Sequence, residues 1–369
     1  NGPIEQEIAN LADFSRLDHR VFQVCKDLKK KSQKVILISR NPNIRLKGNQ
    51  LGIDTELFKD EIFPKPCDQY KGIVEVFMPG SSLEKMFTDE RGVPVEEVYQ
   101  YENFDWIENE FVEIVSDTSK AIGRYTNGRI VRLKYDKSIP GGHKALNVEQ
   151  VVFWESLLMP PDIAPLVVTK GVAGTGKTYC SLAMALNAIE KKGDKKKQTY
   201  KQIIVATPTV TVANEELGFL PGEIDDKVGP YLGGIVDNLK EILRPKFPDF
   251  TNAELKKKAM EFFERGDIEI QPIGFLRGRT IPNTVFIIDE TQNIKPCDIK
   301  DIVTRSAEGS KFIFLGDADQ VNNPALNSRY NGLVYLSEKM KGNPHTFQIT
   351  LNSKKSVRSK LAQEALDIL

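Results

Sequence analysis

The sequence predicts an α/β protein organised around a parallel sheet, and three observations carry that prediction. From about residue 145 onward, short apolar runs (PLVVT, QIIVAT, VFIID, KFIFLGD, TFQITL) alternate with stretches of helical spacing, and strands apolar throughout belong in a sheet covered on both faces. The first of these runs leads into KGVAGTGKTYC, where Gly171, four residues, then Gly176, Lys177 and Thr178 complete a phosphate-cradling loop between strand and helix. Two further runs end in polar residues, Asp289 with Glu290 and Gly316 with Asp317 and Gln320, at the strand ends where such sheets bind ligands.

In chain order, residues 1–66 read as the tail of an α/β unit. RLDHRVFQVCKDLKKK has helical apolar spacing at Val21, Val24, Cys25 and Leu28, and KVILIS has the form of a short buried strand. The first apolar pattern looks like the middle of a fold, so a segment ahead of Asn1 is expected. FPKPCDQY then breaks the pattern. Residues 67–144 change to short β-type runs (GIVEVFM, EFVEIVS, AIGRYT, GRIVRLKY) with a hairpin turn at Asn127 and Gly128 and an exit at IPGG. They predict a small, mostly β connecting domain. Residues 145–369 carry the α/β core and end in a closing helix.

Charge and cysteine usage narrow the class. Lys plus Arg and Asp plus Glu number 51 each, so net charge gives no argument for nucleic acid. Glu61 to Asp117 nevertheless holds 14 carboxylates against 4 basic residues. Basic clusters at 29–31, 191–197, 256–258 and 354–355 read first as solvated faces. The 4 cysteines lie far apart without metal-ligand spacing, which argues against a disulfide frame or a zinc site. No run approaches the roughly 18 apolar residues of a membrane span, so a soluble, cytoplasmic protein without a membrane partner is expected.

The residue types specify the chemistry. Backbone N–H groups of Val172, Ala173, Gly174, Thr175 and Gly176, between Gly171 and Tyr179, would converge on the phosphates of ATP. Lys177 would neutralise β and γ oxygens, and Thr178 would ligate Mg²⁺ through its hydroxyl. Asp289 would hold the same metal through water, and Glu290, one residue on, is placed as general base for the attacking water. The Gln320 amide could bond both the γ-phosphate and a neighbouring loop, sensing hydrolysis. Upstream, ALNVEQ offers two readings: Asn147 and Gln150 recognise the adenine edge, or they cap a helix.

Together LNxEQ, GxxGTGKT, DExQN and GDxxQ resemble the superfamily 1 helicase motor. More specifically, residues 145–369 resemble the PhoH family of ATPases through GFLPGEIDDKVGPYL, IGFLRGRTIPNTVFIIDETQN, EGSKFIFLGDADQ and NGLVYLSEKMKG. The resemblance implies a RecA-like P-loop core of the additional-strand, catalytic-glutamate type. It implies a magnesium-dependent ATPase that unwinds or moves along RNA or another single-stranded nucleic acid. It also implies a homo-oligomeric ring, with a hexamer favoured. Arg358 in SVRS resembles the helicase arginine-serine motif and would act on phosphate as a finger from a neighbouring copy. Arg277 and Arg279 are assigned to nucleic acid or the subunit contact, with Arg305 and Arg329 as further candidates. Thr207 stands where relatives of the core usually carry an arginine.

Residues 1–66 resemble the second half of a PIN nuclease domain, as in PIN-PhoH fusions. Asp18 matches one metal-binding acid of that pattern or is a helix-start aspartate; Asn41 stands where the family has an aspartate. Two other activities fit the same chain: a nucleotide-driven switch or scaffold that moves no strand, and a ribonuclease fed by its motor.

Overall fold

The computed structural model describes residues 4–9, 16–31, 34–39, 41–56, 63–65, 68–100, 104–117, 119–190, 200–208, 224–276 and 280–351. The chain divides into two compact units, Asn1–Ile62 and Phe63–Leu369.

The first unit runs α1 (Gln6–Ala9), α2 (Arg16–Lys30), β1 (Ile36–Ile38), α3 (Pro42–Gln50) and β2 (Asp54–Glu56), with β1 and β2 parallel. Helix α2 turns a different face inward from the one its spacing predicts. Phe22 and Cys25 join Ile8, Leu37 and Ile53 in the core, while Val21 and Val24 are exposed. The apolar residues of α2 can be grouped on either of two overlapping faces, and the one carrying the bulkier Phe22 buries more area. Strand β1 likewise buries Leu37 alone; Ile36 and Ile38 face out.

The second unit contains two sheets. The smaller is ordered β3-β5-β6-β7-β4, from β3 (Ile73–Phe77), β4 (Val93–Pro94), β5 (Phe111–Val115), β6 (Lys120–Thr126) and β7 (Arg129–Arg132). The β6–β7 hairpin turns where the sequence predicts, with Asn127 and Gly128 at φ 49° and 75°, the paired positive angles of a tight hairpin turn. The region is less purely β than expected. A helix, α4 (Gly80–Thr88), crosses between β3 and β5, which pair in parallel; a parallel pair cannot be joined by a tight turn.

The larger sheet has six parallel strands in the order β10-β9-β11-β12-β8-β13. These are β8 (Leu166–Gly171), β9 (Gln202–Thr207), β10 (Ile268–Pro272), β11 (Thr284–Ile288), β12 (Lys311–Gly316) and β13 (Thr346–Leu351). Helices α5 (Val148–Leu158), α6 (Lys177–Glu190), α7 (Ile224–Leu243) and α8 (Asn252–Glu264) contribute Trp154, Leu186, Leu239 and Phe262 to a core with Val167, Ile287 and Ile313. On the other face, α9 (Pro296–Val303) and α10 (Gly332–Lys339) supply Ile299, Ile302, Leu333 and Leu336 against Val168, Ile288 and Phe314. Successive strand residues point to opposite faces, so the inner strands must be apolar on both, while edge strand β10, IEIQP, alternates and is mostly half-buried. Strand β12 lies between β8 and β11, the additional strand that separates the phosphate loop from the acidic pair. Register pairs Gly316 with Lys170 and Ile288 with Phe314, bringing three strand ends to one edge. The closing helix expected after β13 and residues 218–223 of the GFLPGEIDDKVGPYL stretch lie outside the described residues.

Candidate nucleotide site

The site forms where β8 gives way to α6. Gly171 lies so close to β13 that a Cβ there would meet the Leu351 carbonyl oxygen at 2.7 Å. Gly176 has φ 85°, a left-handed backbone that a side chain would strain. Thr175 pins the loop internally, its hydroxyl donating to the Val172 carbonyl at 2.9 Å. Lys177 opens α6, so the unsatisfied amides of the helix start face the same space as its ammonium. That ammonium is nine-tenths buried and donates to the carbonyls of Gly171 and Val172 at 2.5 and 2.9 Å.

Strand β11 delivers the acidic pair to this loop. The Thr178 hydroxyl donates to Asp289 Oδ2 at 2.7 Å, placing two hard oxygen donors side by side. Asp289 Oδ1 accepts the Glu290 N–H at 2.9 Å. Glu290 itself sits at φ 53°, ψ 35°, a left-handed conformation that costs a non-glycine residue about 1 kcal/mol or more. Glu290 is exposed and lines the cavity, and its carboxyl group is enclosed enough that desolvation, then the charge of Asp289, raises its pKa. Asp317 at the end of β12 is raised mainly by burial as well. A carboxylate held above its ordinary range suits proton abstraction near neutral pH.

One cavity of about 240 Å³ collects these groups: Ala173, Gly174, Gly176, Lys177, Thr178 and Tyr179 from the loop and α6, Asn238 from α7, Asp289, Glu290, Gly316, Asp317 and Gln320. Loop glycines, an ammonium, a hydroxyl–carboxylate pair and a second carboxylate are the set that a nucleotide triphosphate and a hard divalent cation require. The arrangement is that of a P-loop NTPase.

Other predicted residues fall elsewhere. Asn147 is the N-cap of α5, its side chain accepting the Gln150 N–H at 2.9 Å. The Gln150 amide is buried; its oxygen accepts the Leu146 N–H at 2.9 Å and its nitrogen donates to the Thr175 carbonyl at 3.2 Å. It therefore braces the phosphate loop from α5, with one N–H and one lone pair of the amide left over. Arg305 is exposed after α9, and Arg329 donates to the Phe63 carbonyl at 2.9 Å. Neither lines the cavity. Arg277, Arg279 and Arg358 lie outside the described residues. In the first unit, Asp18 is in the first turn of α2, and Asn41 caps α3 by accepting the Asn43 N–H at 2.9 Å. Among the described residues, no group of three or more His, Cys, Asp or Glu could hold a metal ion. No helix among them is long and apolar enough to cross a membrane.

Sequence reasoning missed Asn238, which no motif marks, and assigned no role to Gln292, although it is the glutamine of DExQN. The PhoH-like protein family model matches residues 144–369, and a PIN domain model matches residues 3–59. Protein PhoH2 of Bacillus subtilis (strain 168) is 33% identical over 363 residues, 95% of this chain and 77% of the relative. Protein PhoH2 of Thermobispora bispora is 28% identical over 352 residues, 95% of this chain and 74% of that one. A crystal structure of Pif1 helicase from Candida albicans aligns at 19% identity and a TM-score of 0.29, covering 61% of this chain and 43% of the other; a likeness that low carries no argument. With its phosphate loop, acidic pair and six-stranded sheet inside the matched region, the chain belongs to the PhoH-like protein family, with a PIN domain match ahead of that region.

Proposed function

We propose that this protein hydrolyses ATP with magnesium and uses the cycle to move along or unwind RNA or another single strand. The observation that carries the reading is the contact between Thr178 and Asp289, 2.7 Å apart across 111 residues of sequence. It joins the phosphate loop to the acidic pair around one cavity. Thr178 and Asp289 would hold the metal, which supplies charge neutralisation to the phosphates when bound. Lys177 would exchange its two carbonyl partners for phosphate oxygens. Glu290 would take the proton of the attacking water, its raised pKa keeping it a strong enough base.

Movement is assigned to the loop after β12, whose residue Gln320 lines the cavity, and the nucleic acid to the resemblance with helicase motors. A ring of copies, each lending an arginine to its neighbour, would complete charge stabilisation in phosphoryl transfer. The test is displacement of a labelled strand from a tailed RNA duplex, with hydrolysis followed in parallel. ATP- and magnesium-dependent displacement supports the reading. Hydrolysis without displacement leaves a nucleotide-driven switch, and no hydrolysis at all removes the reading entirely.

A further inference from the structure

Behind the acidic pair lies a side chain that none of the assigned roles uses. Gln292 is fully buried in the turn after β11. Its Nε2 donates to Glu290 Oε2 at 2.6 Å and to the Gln320 carbonyl at 3.1 Å, while its Oε1 accepts the Asp317 N–H at 3.1 Å. One amide thus uses both N–H groups and its oxygen on three residues that line the nucleotide cavity. The next residue extends the grip, as Asn293 Oδ1 accepts the Asn322 N–H at 2.8 Å.

The neighbouring strand is cut to fit this amide. A Cβ added at Gly316 would lie 2.3 Å from Gln292 Oε1 and 2.9 Å from Leu333 Cδ2, so the amide would have to leave its place. Glycine at the end of β12 is therefore a condition for Gln292 to sit where it does.

We propose that Gln292 is a positioning residue that couples the general base to the sensing loop: it aims the Glu290 carboxylate and ties that aim to the position of residues 317–320. A movement of the loop toward or away from a phosphate would then move Glu290 with it, and the base would be set only when the loop is in place. A buried amide with three specific partners transmits displacement because losing any one of them leaves a polar group unsatisfied. The inference rests on the reading that Glu290 is the base and Gln320 the sensor.

The experiment uses the full chain with Gln292→Ala, Gly316→Ala, the double variant and Glu290→Gln. Melting temperature, equilibrium ATP affinity, KM and kcat are measured for each. Gln292→Ala is expected to bind ATP within about 2-fold of wild type while kcat falls roughly 10- to 100-fold, since misplacing a reacting group by an ångström costs on that order. Gly316→Ala should reproduce the phenotype with the amide chemically intact. The double variant should lose less than the product of the two single effects, because truncation removes the clash at Oε1 and leaves only the smaller one with Leu333 Cδ2 at 2.9 Å. Turnover of Gln292→Ala within 3-fold of wild type, a loss of ATP affinity matching the loss of kcat, or additive effects in the double variant would each overturn the proposal. A wild-type enzyme that hydrolyses ATP, with Glu290→Gln inactive and Gln292→Ala normal, refutes this inference alone. A wild type without hydrolysis takes down the proposed function and the inference together.

Discussion

Two buried lysines, near opposite ends of neighbouring strands, differ in what their charges face: one borders a cavity, the other is closed inside the fold. Lys177 begins α6 at the carboxyl edge of the sheet and bonds two carbonyls of its own loop beside an open cavity. Lys311 begins β12 at the opposite edge, is fully buried, and donates to the carbonyls of Ser156, Leu157 and Met159 at 2.9, 2.8 and 2.6 Å. Those carbonyls are the orphan acceptors at the end of α5, so its ammonium caps a helix C-terminus. Burial alone pulls Lys311 down to about 7. Burial of a charge therefore does not identify a site; what distinguishes Lys177 is that an aspartate, a glutamate and a helix N-terminus share its cavity.

The comparison breaks first at Lys177. Lys177→Ala should lower ATP turnover by roughly 10²–10³-fold, the cost of removing one preorganised donor from a developing charge, with the melting temperature within about 2 °C of wild type. Steady-state hydrolysis beside a thermal melt checks both halves. A large loss of stability would make Lys177 a structural lysine like its counterpart.

Lys311→Met sharpens the other side. Methionine fills the volume but strands three carbonyls at the end of α5, costing about 3 kcal/mol, or roughly 6–10 °C in melting temperature. Activity per folded molecule should hold, because the side chain reaches nothing in the nucleotide cavity. A normal melt with reduced turnover would reverse the assignment of the two lysines.

This contrast also explains what could be read from the sequence. Lys177, Thr178, Asp289 and Glu290 were legible because each is fixed by its distance from a strand end or a glycine, a local relation that spacing records. The parallel sheet was legible for the same reason, since its inner strands, buried on both faces, show no polar alternation, although edge strand β10 does. Gln292 was not, because its partners at 317 and 320 come together only when β11 and β12 pair. Lys311 was equally opaque: a lysine at the start of an apolar run looks like a solvated strand end until α5 is folded over it. Val21 and Val24 were misplaced because α2 offers two apolar faces and only the tertiary partner chooses between them. Helix α4 escaped because GSSLEKMF is short and begins without a side-chain cap at Pro79.

The smallest effect tests whether closed, structural charges still titrate as burial demands. Glu110 precedes β5 and is 7% exposed. Desolvation raises its carboxyl to about 7 against the opposing pull of Lys341 and the Ile107 N–H, with Asp105 adding a little upward push. Between its ordinary value and 7 the folded protein holds a proton that the unfolded chain releases, so stability falls as pH rises through that window and the cost is complete above it. Glu110→Gln should therefore flatten the dependence of melting temperature on pH between about 4.5 and 7, and stabilise the protein at pH 8 by about 1 kcal/mol after allowance for the water the group still meets. ATP turnover measured at pH 8 should not change, since this carboxyl belongs to the smaller sheet and not to the cavity. A variant with an unaltered pH slope would place Glu110 among charges that solvent reaches freely, and would narrow the structural class to groups such as Lys311 that the fold closes completely.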